Sequence, residues 1–501
     1  MLTKNKNSFT VFTGGILIGL FLLNMISRDV FHRFDLTDTK MYSLSSSSES
    51  IVEKVDDLLT MKVYFSENLP NELGNTRRFL QDILEEFSAR SSGNIRFFFH
   101  NPESDTDLEQ QAQKDGIQPV QMQVIENDKV EIKKVYLGMV LVYEDKKEVI
   151  PVIQTTSGLE YLISTKIKSL INVDKKTIGL AHLDPDSDMK TENLSAQLRE
   201  HYNFKLVNLS NEVDPNIDVL LVSGAVDTLD TLAKKHLTGF LENGKSVLLS
   251  QSAVITDIQT QQANLLTSDV FDFLRQYGLN LQHNLVLDGN CNTVNVQERR
   301  GIFLMNRPME YPFFPIVQSF NKNEVVVSDL EQVLPFFPSE IQLDSTNQSH
   351  ILETISLFES SDNSGTMESN FQLSPDPQQN PFIKMLGQKG KIIAATTRLA
   401  NGGEILLVSD SKFLSDESGM SVPDNQTFVL NAVDYLAGDQ DLISLRSREI
   451  THRPLEEIED STKKNWKFAN LFLPSIFIVG FGFFRMRKDK QNAEILRQIY
   501  D

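Results

Sequence analysis

Phe9-Thr-Val-Phe-Thr-Gly-Gly-Ile-Leu-Ile-Gly-Leu-Phe-Leu-Leu-Asn-Met-Ile26 is uncharged from end to end. Wound as a helix it reaches about 27 Å, close to the thickness of a bilayer's hydrocarbon core. Residues 468–484, FANLFLPSIFIVGFGFF, form a second uncharged run of similar length near the other end. A core helix of a soluble domain carries a polar stripe, and neither run has one. Lys4 and Lys6 precede the first run, and Arg485, Arg487, Lys488 and Lys490 follow the second. The expectation is a large polar body held to a membrane at both ends, with Pro474 kinking the second helix without ending it.

Small residues would cleave the first run as a signal peptide, but Asn24-Met25-Ile26-Ser27-Arg28-Asp29 supplies a poor site, so an uncleaved anchor is expected. Basic flanks prefer the cytoplasm. Both termini are therefore placed inside and the body in a periplasm, although Lys463, Lys464 and Lys467 on the inner flank of the second run oppose this. Gly14, Gly15, Gly19, Gly480 and Gly482 would weaken helices in water. In a membrane they allow helices to approach closely, which makes them candidate partner contacts. Arg33, Asp35 and Lys40 lie in the link after the first run and are further candidates, for docking on a partner's periplasmic rim; a plain spacer is the other reading.

The chain has 501 residues and a formal net charge of −20. Such an acid excess argues against broad nucleic-acid binding and makes the body a poor ligand for anionic lipid. Cys291 is the only cysteine, so no intrachain disulfide forms, which fits a Gram-negative periplasm or a cytoplasm.

Residues 27–59 read as a juxtamembrane collar ending in a helix capped at Ser45–Ser48. Residues 60–175 alternate as β-α-β-α-β-β-α, with strands at Thr60–Phe65, Ile95–Phe99, Pro119–Ile125 and Val135–Tyr143. That order is the order of a thioredoxin-like domain. Thiol exchange needs Cys-x-x-Cys at the first helix, where this chain has Ser66-Glu67-Asn68-Leu69-Pro70. Pro119 matches the place of that fold's cis-proline or is an ordinary strand-entry proline. Residues 176–290 and 386–440 read as a second α/β domain with a largely parallel sheet, of the glutamine-amidotransferase-like or flavodoxin-like kind. Ligands of such sheets bind at the C-terminal strand ends, here around Asp184, Ser223 and Gln251. Residues 291–385 read as an irregular lobe, 441–467 as a return segment and 485–501 as a basic cytoplasmic tail after residues 1–8 on the same side.

The chemistry-bearing patterns fail one by one. Asp184-Pro-Asp186-Ser-Asp188 opens like a calcium loop but has Met189 where glycine is needed and Ser195 where the closing glutamate belongs. Val247 to Ser252 stands where a hydrolase carries its nucleophile elbow, and no G-x-S-x-G is present. Cys291 lies well past that strand and reads as an inert packing residue. The eight histidines show no zinc spacing, and no phosphate-binding P-loop motif occurs. No catalytic residue, metal or cofactor is expected.

Four stretches carry a resemblance: Arg33-Phe-Asp-Leu-Thr-Asp-Thr-Lys40-Met-Tyr-Ser-Leu-Ser45, Gly116-Ile-Gln-Pro-Val-Gln-Met-Gln123, Leu407-Val-Ser-Asp-Ser-Lys-Phe-Leu-Ser415, and Asn431-Ala-Val-Asp-Tyr-Leu-Ala-Gly438 through Leu442, Arg446-Ser-Arg448 and Arg453-Pro-Leu455. Together they resemble the GldG-like, gliding-associated ABC transporter auxiliary or substrate-binding family over nearly the whole chain. The resemblance implies a membrane-bound subunit working beside a separate permease and a separate ATPase, with links to gliding motility and protein secretion and no catalytic residues to carry over. The reading is a noncatalytic auxiliary subunit. Its alternatives are a periplasmic binder of a small ligand, which needs a convergent polar pocket, and a divergent amidohydrolase-like enzyme, which needs a nucleophile within reach of a base.

Overall fold

The computed structural model describes residues 43–439 except 68, 70, 127–128, 157, 172–174, 185–186, 225–227, 301–302, 329, 345–348, 377–379 and 381. It also describes Phe12, residues 14–16, Ile443 and the C-terminal helix. The chain divides into two compact units, Met1–Ile450 and Thr451–Asp501.

The first unit opens with α1 (Ser46–Glu53). Ser45 caps it, its hydroxyl accepting from Ser48 N. A four-stranded sheet follows, built from β1 (Leu59–Phe65), β2 (Ile95–His100), β3 (Leu137–Tyr143) and β4 (Lys146–Ile150) in the order β2-β1-β3-β4. β1 runs parallel to β2 and antiparallel to β3, and β3 runs antiparallel to β4. α2 (Asn71–Arg90) and α4 (Leu159–Ile171) cover one face, where Leu80, Leu84, Phe87, Ile163 and Ile167 meet Leu59, Met61 and Val63. α3 (Thr106–Asp115) covers the other, packing Ala112 against Tyr64 and Val140. Gly116 ends α3 at φ +97°, a left-handed cap that suits glycine. α1 is tied to α4 through buried Glu160, whose carboxylate accepts from Ser45 N and from the Ser48 hydroxyl, both at 2.7 Å.

The third expected strand, Pro119–Ile125, does not join this sheet, while the fourth, Val135–Tyr143, does so over Leu137–Tyr143. Val120–Glu126 and Lys129–Val135 pair only with each other as a hairpin. The expected strand at 137–143 is apolar on both faces, and the sheet is completed by the unexpected charged edge Lys146-Lys147-Glu148. Edge strands carry charge because it discourages pairing with other chains, and that charge hides them from a hydrophobicity reading. Among the described residues no peptide bond is cis.

An eight-stranded sheet forms the rest of the body. Its strands are β5 (Thr177–His182), β6 (Asn203–Leu206), β7 (Val219–Ser223), β8 (Ser246–Ser250), β9 (Ser319–Phe320), β10 (Ile351–Glu359), β11 (Ile392–Leu399) and β12 (Glu404–Val408), in the order β9-β10-β11-β12-β8-β7-β5-β6. The five strands from β12 to β6 are parallel and keep the doubly wound order 2-1-3-4-5. β11, β10 and β9 extend it antiparallel. Apolar side chains alternate across the strands: Leu220 and Val222 face α6 (Thr231–Glu242) and α7 (Val270–Gln276), while Val219 and Leu221 face α5 (Glu192–His201) and α8 (Pro423–Leu436).

Residues 291–385 contain more regular structure than their composition implies. Cys291–Arg300 and Phe303–Pro315 form a long hairpin. Ser364–Met367, within the stretch read as an irregular lobe, pairs with Leu285–Asp288. The aromatic residues beside prolines are packed inward: Phe313 stands 5.8 Å from Phe337, Phe314 4.8 Å from Phe336, and the Tyr311 hydroxyl donates to Leu373 O at 2.7 Å.

The second unit is α9 (Asp460–Tyr500), 41 residues that run through Pro474 without a break. Ser461–Ala493 is, among the described residues, the one helix long and apolar enough to cross a membrane. Its Phe477, Ile478 and Phe481 are all about two-thirds exposed or more in the isolated chain. The first apolar run falls almost wholly outside the described residues.

Candidate functional site

Doubly wound sheets offer a crevice where successive crossovers leave in opposite directions. Here that point lies between β5, whose crossover leads outward to β6, and β7, whose crossover leads to β8. The strands end side by side at His182 and Ser223. The imidazole Nδ1 and the Ser223 hydroxyl are 2.8 Å apart, and that hydroxyl also reaches Met189 Sδ at 3.4 Å. The hydroxyl carries one proton, so it donates in only one of these two contacts, and the His182 tautomer decides which. A serine nucleophile needs a base to take the hydroxyl proton and open space beside it for a reacting carbonyl. Ser223 is fully buried, with Met189 Sδ against its hydroxyl. Burial holds the His182 pKa below its ordinary value, with Asp184 pulling weakly the other way.

A second polar cluster lies at the ends of β8 and β12. Asp410 is 2 % exposed. Its carboxylate accepts from Phe336 N and Lys412 N, both at 2.9 Å. The Ser250 hydroxyl donates to Asp410 O at 2.5 Å, and Ser252 Oγ accepts from Ser411 N at 2.7 Å. Gln251 donates Nε2–H to Ser252 O, while its Oε1 is buried without a hydrogen-bond partner among the described residues. Burial pushes the Asp410 carboxyl up to about 6 against its two backbone donors and the Lys412 charge. These side chains fasten loops to the sheet ends around the buried carboxyl.

Of the three positions expected around a ligand, Ser223 and Gln251 are buried in these two clusters, and Asp184 follows β5 beside the undescribed residues 185–186. His182 and Asp410 were missed as members. Their common signal is a polar residue at the C-terminal end of an apolar central strand or within two residues of it. The candidates in the apolar runs behave differently: a Cβ added at Gly14, Gly15, Gly480 or Gly482 meets nothing within 4 Å. Each therefore offers a smooth strip of helix. Gly19, Arg33, Asp35 and Lys40 lie outside the described residues.

Elsewhere, Arg398 binds Glu324 and Glu353, each at 2.6 Å, and donates to the Tyr435 hydroxyl at 2.7 Å, which ties β10 and β11 to α8. A surface cleft of about 510 Å³ is lined by Thr238, Glu242, Tyr277, His350 and Asn401. Among the described residues no three acid, histidine or cysteine side chains are placed to hold a metal ion.

Cys291 is half-buried, and burial pushes its thiol up to about 11. Only the thiolate is nucleophilic. Alkylation by iodoacetamide is therefore expected to stay slow through pH 8 and to accelerate toward pH 11. The Cys291→Ser chain should melt within about 1 kcal/mol of the natural one, as expected where no special contact is lost. Rapid labelling at pH 7 would show an activated thiol.

Comparison with known proteins places these features. Residues 38–142 match a domain of unknown function. A protein of Borreliella burgdorferi, itself uncharacterized, is 25 % identical over 98 % of this chain and all of its own length. Similar solved structures include the N-terminal domain of mmIFT52 (TM-score 0.34, 10 % identity, 52 % of this chain and 96 % of that one). A ThuA-like protein from Parabacteroides merdae scores 0.27 at 10 % identity, covering 57 % and 94 %. A glutamine amidotransferase from Thermotoga maritima scores 0.25 at 7 % identity, covering 55 % and 99 %. Residues 175–432, just over half of the chain and containing the whole parallel sheet with its two polar clusters, match the family described as an ABC-type uncharacterized transport system, and the chain belongs to that family.

Proposed function

We propose that this chain is a noncatalytic auxiliary subunit of a GldG-like ABC transport complex, acting beside a separate permease and a separate ATPase. The observation that carries the reading is the family match over residues 175–432. In this reading α9 and the first apolar run pack on permease helices through Gly14, Gly15, Gly480 and Gly482, the body lies in the periplasm, and both termini are cytoplasmic. Its work serves gliding motility or protein secretion. The strand order β2-β1-β3-β4 supports a thioredoxin-like first domain without cysteines, and the order 2-1-3-4-5 supports a flavodoxin-like second one. The noncatalytic role is supported by the full burial of Ser223 and by Met189 Sδ against its hydroxyl. Binding of a small ligand is the second reading, favoured by the cleft at Tyr277 and His350.

Affinity purification of the tagged chain from its own membranes in mild detergent tests the first reading. A permease and an ATPase are expected to co-purify, and both should be lost when the two apolar runs are replaced by unrelated membrane helices with the flanking charges kept. Recovery of the natural chain without any transporter subunit would refute it. Partners retained by the hybrid would move the contact from the spans to the body.

A further inference from the structure

The sequence Ile95-Arg-Phe-Phe-Phe-His100 forms β2, an outer edge of the four-stranded sheet. Unpaired edges invite further strands, and the opposite edge, β4, is guarded by Lys146 and Lys147. β2 instead carries three consecutive phenylalanines, of which Phe98 is 51 % exposed.

Which backbone groups of β2 are open follows from the register. Leu59 is paired with Ile95, and Leu59 N donates to Asn94 O at 2.8 Å. In a parallel ladder this turns the backbone groups of Leu59, Met61 and Val63 toward β2, and those of Ile95, Phe97 and Phe99 outward. Ile95 is already satisfied: its N–H donates to Ser91 Oγ and its carbonyl accepts from Ser88 Oγ, both at 2.9 Å. Past the strand, Asn101 O accepts from Ser104 N at 3.2 Å. The N–H and C=O of Phe97 and of Phe99 remain, and no described residue bonds to them.

We infer that two copies of this chain join antiparallel along β2, about a twofold axis at Phe98, into one continuous sheet. This register is selected by the open groups. Phe97 then exchanges both its bonds with Phe99 of the second copy, and Phe99 does the same with Phe97, so all four open groups are used twice over by symmetry. An axis at Phe97 would instead set Phe99 against the occupied groups of Ile95. With the axis at Phe98, Phe98 faces its own copy, Phe97 faces Phe99 on the other side of the sheet, and Arg96 faces His100, so no like carboxylates or paired cations meet. Cross-strand aromatic pairs of this kind stabilise sheets. The contact is small, and anchoring of both copies in one membrane by α9 raises their effective concentration.

Single cysteines in the full-length Cys291→Ser chain, oxidised in its native membranes, test the pairing. Opposed residues of a non-hydrogen-bonded antiparallel pair bring their Cβ atoms to a separation near that of a disulfide. Phe98→Cys is expected to form a disulfide dimer at least tenfold faster than Leu206→Cys, a control on another edge strand where Leu206 is 70 % exposed. Phe98→Lys sets two cations face to face, and it should convert the detergent-solubilised dimer to monomer in sedimentation while leaving the melting profile of the body unchanged. Equal cross-linking at Phe98 and Leu206, cross-linking of Phe98→Cys to a different protein, or a chain that sediments as a monomer before any substitution would each overturn the inference.

Discussion

Replacing Phe428 by alanine is expected to destabilise the body by about 3–5 kcal/mol, the range for deleting a buried phenylalanine. Phe428 lies on α8 and is fully buried. Its ring meets Phe358 of β10 at 5.3 Å and Phe413, which follows β12, at 5.8 Å, both edge to face. Edge-to-face pairs add about 0.5–1.5 kcal/mol each beyond their burial. One ring therefore joins the helix to both the parallel and the antiparallel part of the eight-stranded sheet. The surroundings have little room to collapse, because Val429, Ala432 and Val433 of the same helix are also buried against the strands. Urea unfolding of the detergent-solubilised chain, followed by circular dichroism, measures the loss. Phe428→Leu retains much of the volume and should cost less than half as much. A loss below about 1 kcal/mol for alanine, the level of an ordinary substitution, would mean that α8 is not held by this contact.

The legible parts of this fold are those in which one pattern suffices. α8 shows Phe428, Val429, Ala432 and Val433 at helical spacing, and the helix forms with those residues inward. β7 and β8 are continuous apolar runs, and both are central strands of the parallel sheet. What escaped reading was set by tertiary pairing. Lys146–Ile150 looks like a solvated loop because edge strands carry charge, and the hairpin 120–135 looks like part of the sheet because both alternate in the same way. The hairpin Cys291–Pro315 is polar on its exposed strand positions and has prolines within it, so no simple period marks it. The sites divide along similar lines. Ser223 and Gln251 were found by the rule that strand ends of a parallel sheet face the crevice. The contact of the Ser223 hydroxyl with Met189 depends on the fold of the loop after β5, which no spacing in the sequence conveys. Asp410 stood within a quoted motif, Leu407-Val-Ser-Asp-Ser-Lys, yet its burial depends on Phe336 arriving from a segment more than seventy residues earlier.

That burial gives the body a distinctive dependence on pH. The Asp410 carboxyl is raised to about 6 in the folded chain from an ordinary value of 3.8. The folded state therefore holds a proton that the unfolded chain has released across that interval. A raised folded value contributes stability that is fully present below about 3.8 and is lost as pH rises through about 6. At about 1.4 kcal/mol for each tenfold change, the contribution is about 3 kcal/mol. Asp410→Asn cannot titrate. Its amide keeps one acceptor and sets an NH2 against one of the two backbone donors from Phe336 and Lys412, which adds an offset that does not vary with pH. The quantity to measure is thus the difference in unfolding free energy between the natural chain and Asp410→Asn at pH 4, 5, 6 and 7. The natural chain is expected to lose about 2–2.5 kcal/mol relative to the variant between pH 4 and pH 7, part of the full contribution being already lost at pH 4, and most of this loss comes by pH 6.5. A difference that is flat across this range, or that grows in favour of the natural chain as pH rises, would show that the two backbone hydrogen bonds outweigh burial and that the buried carboxylate is the stable form.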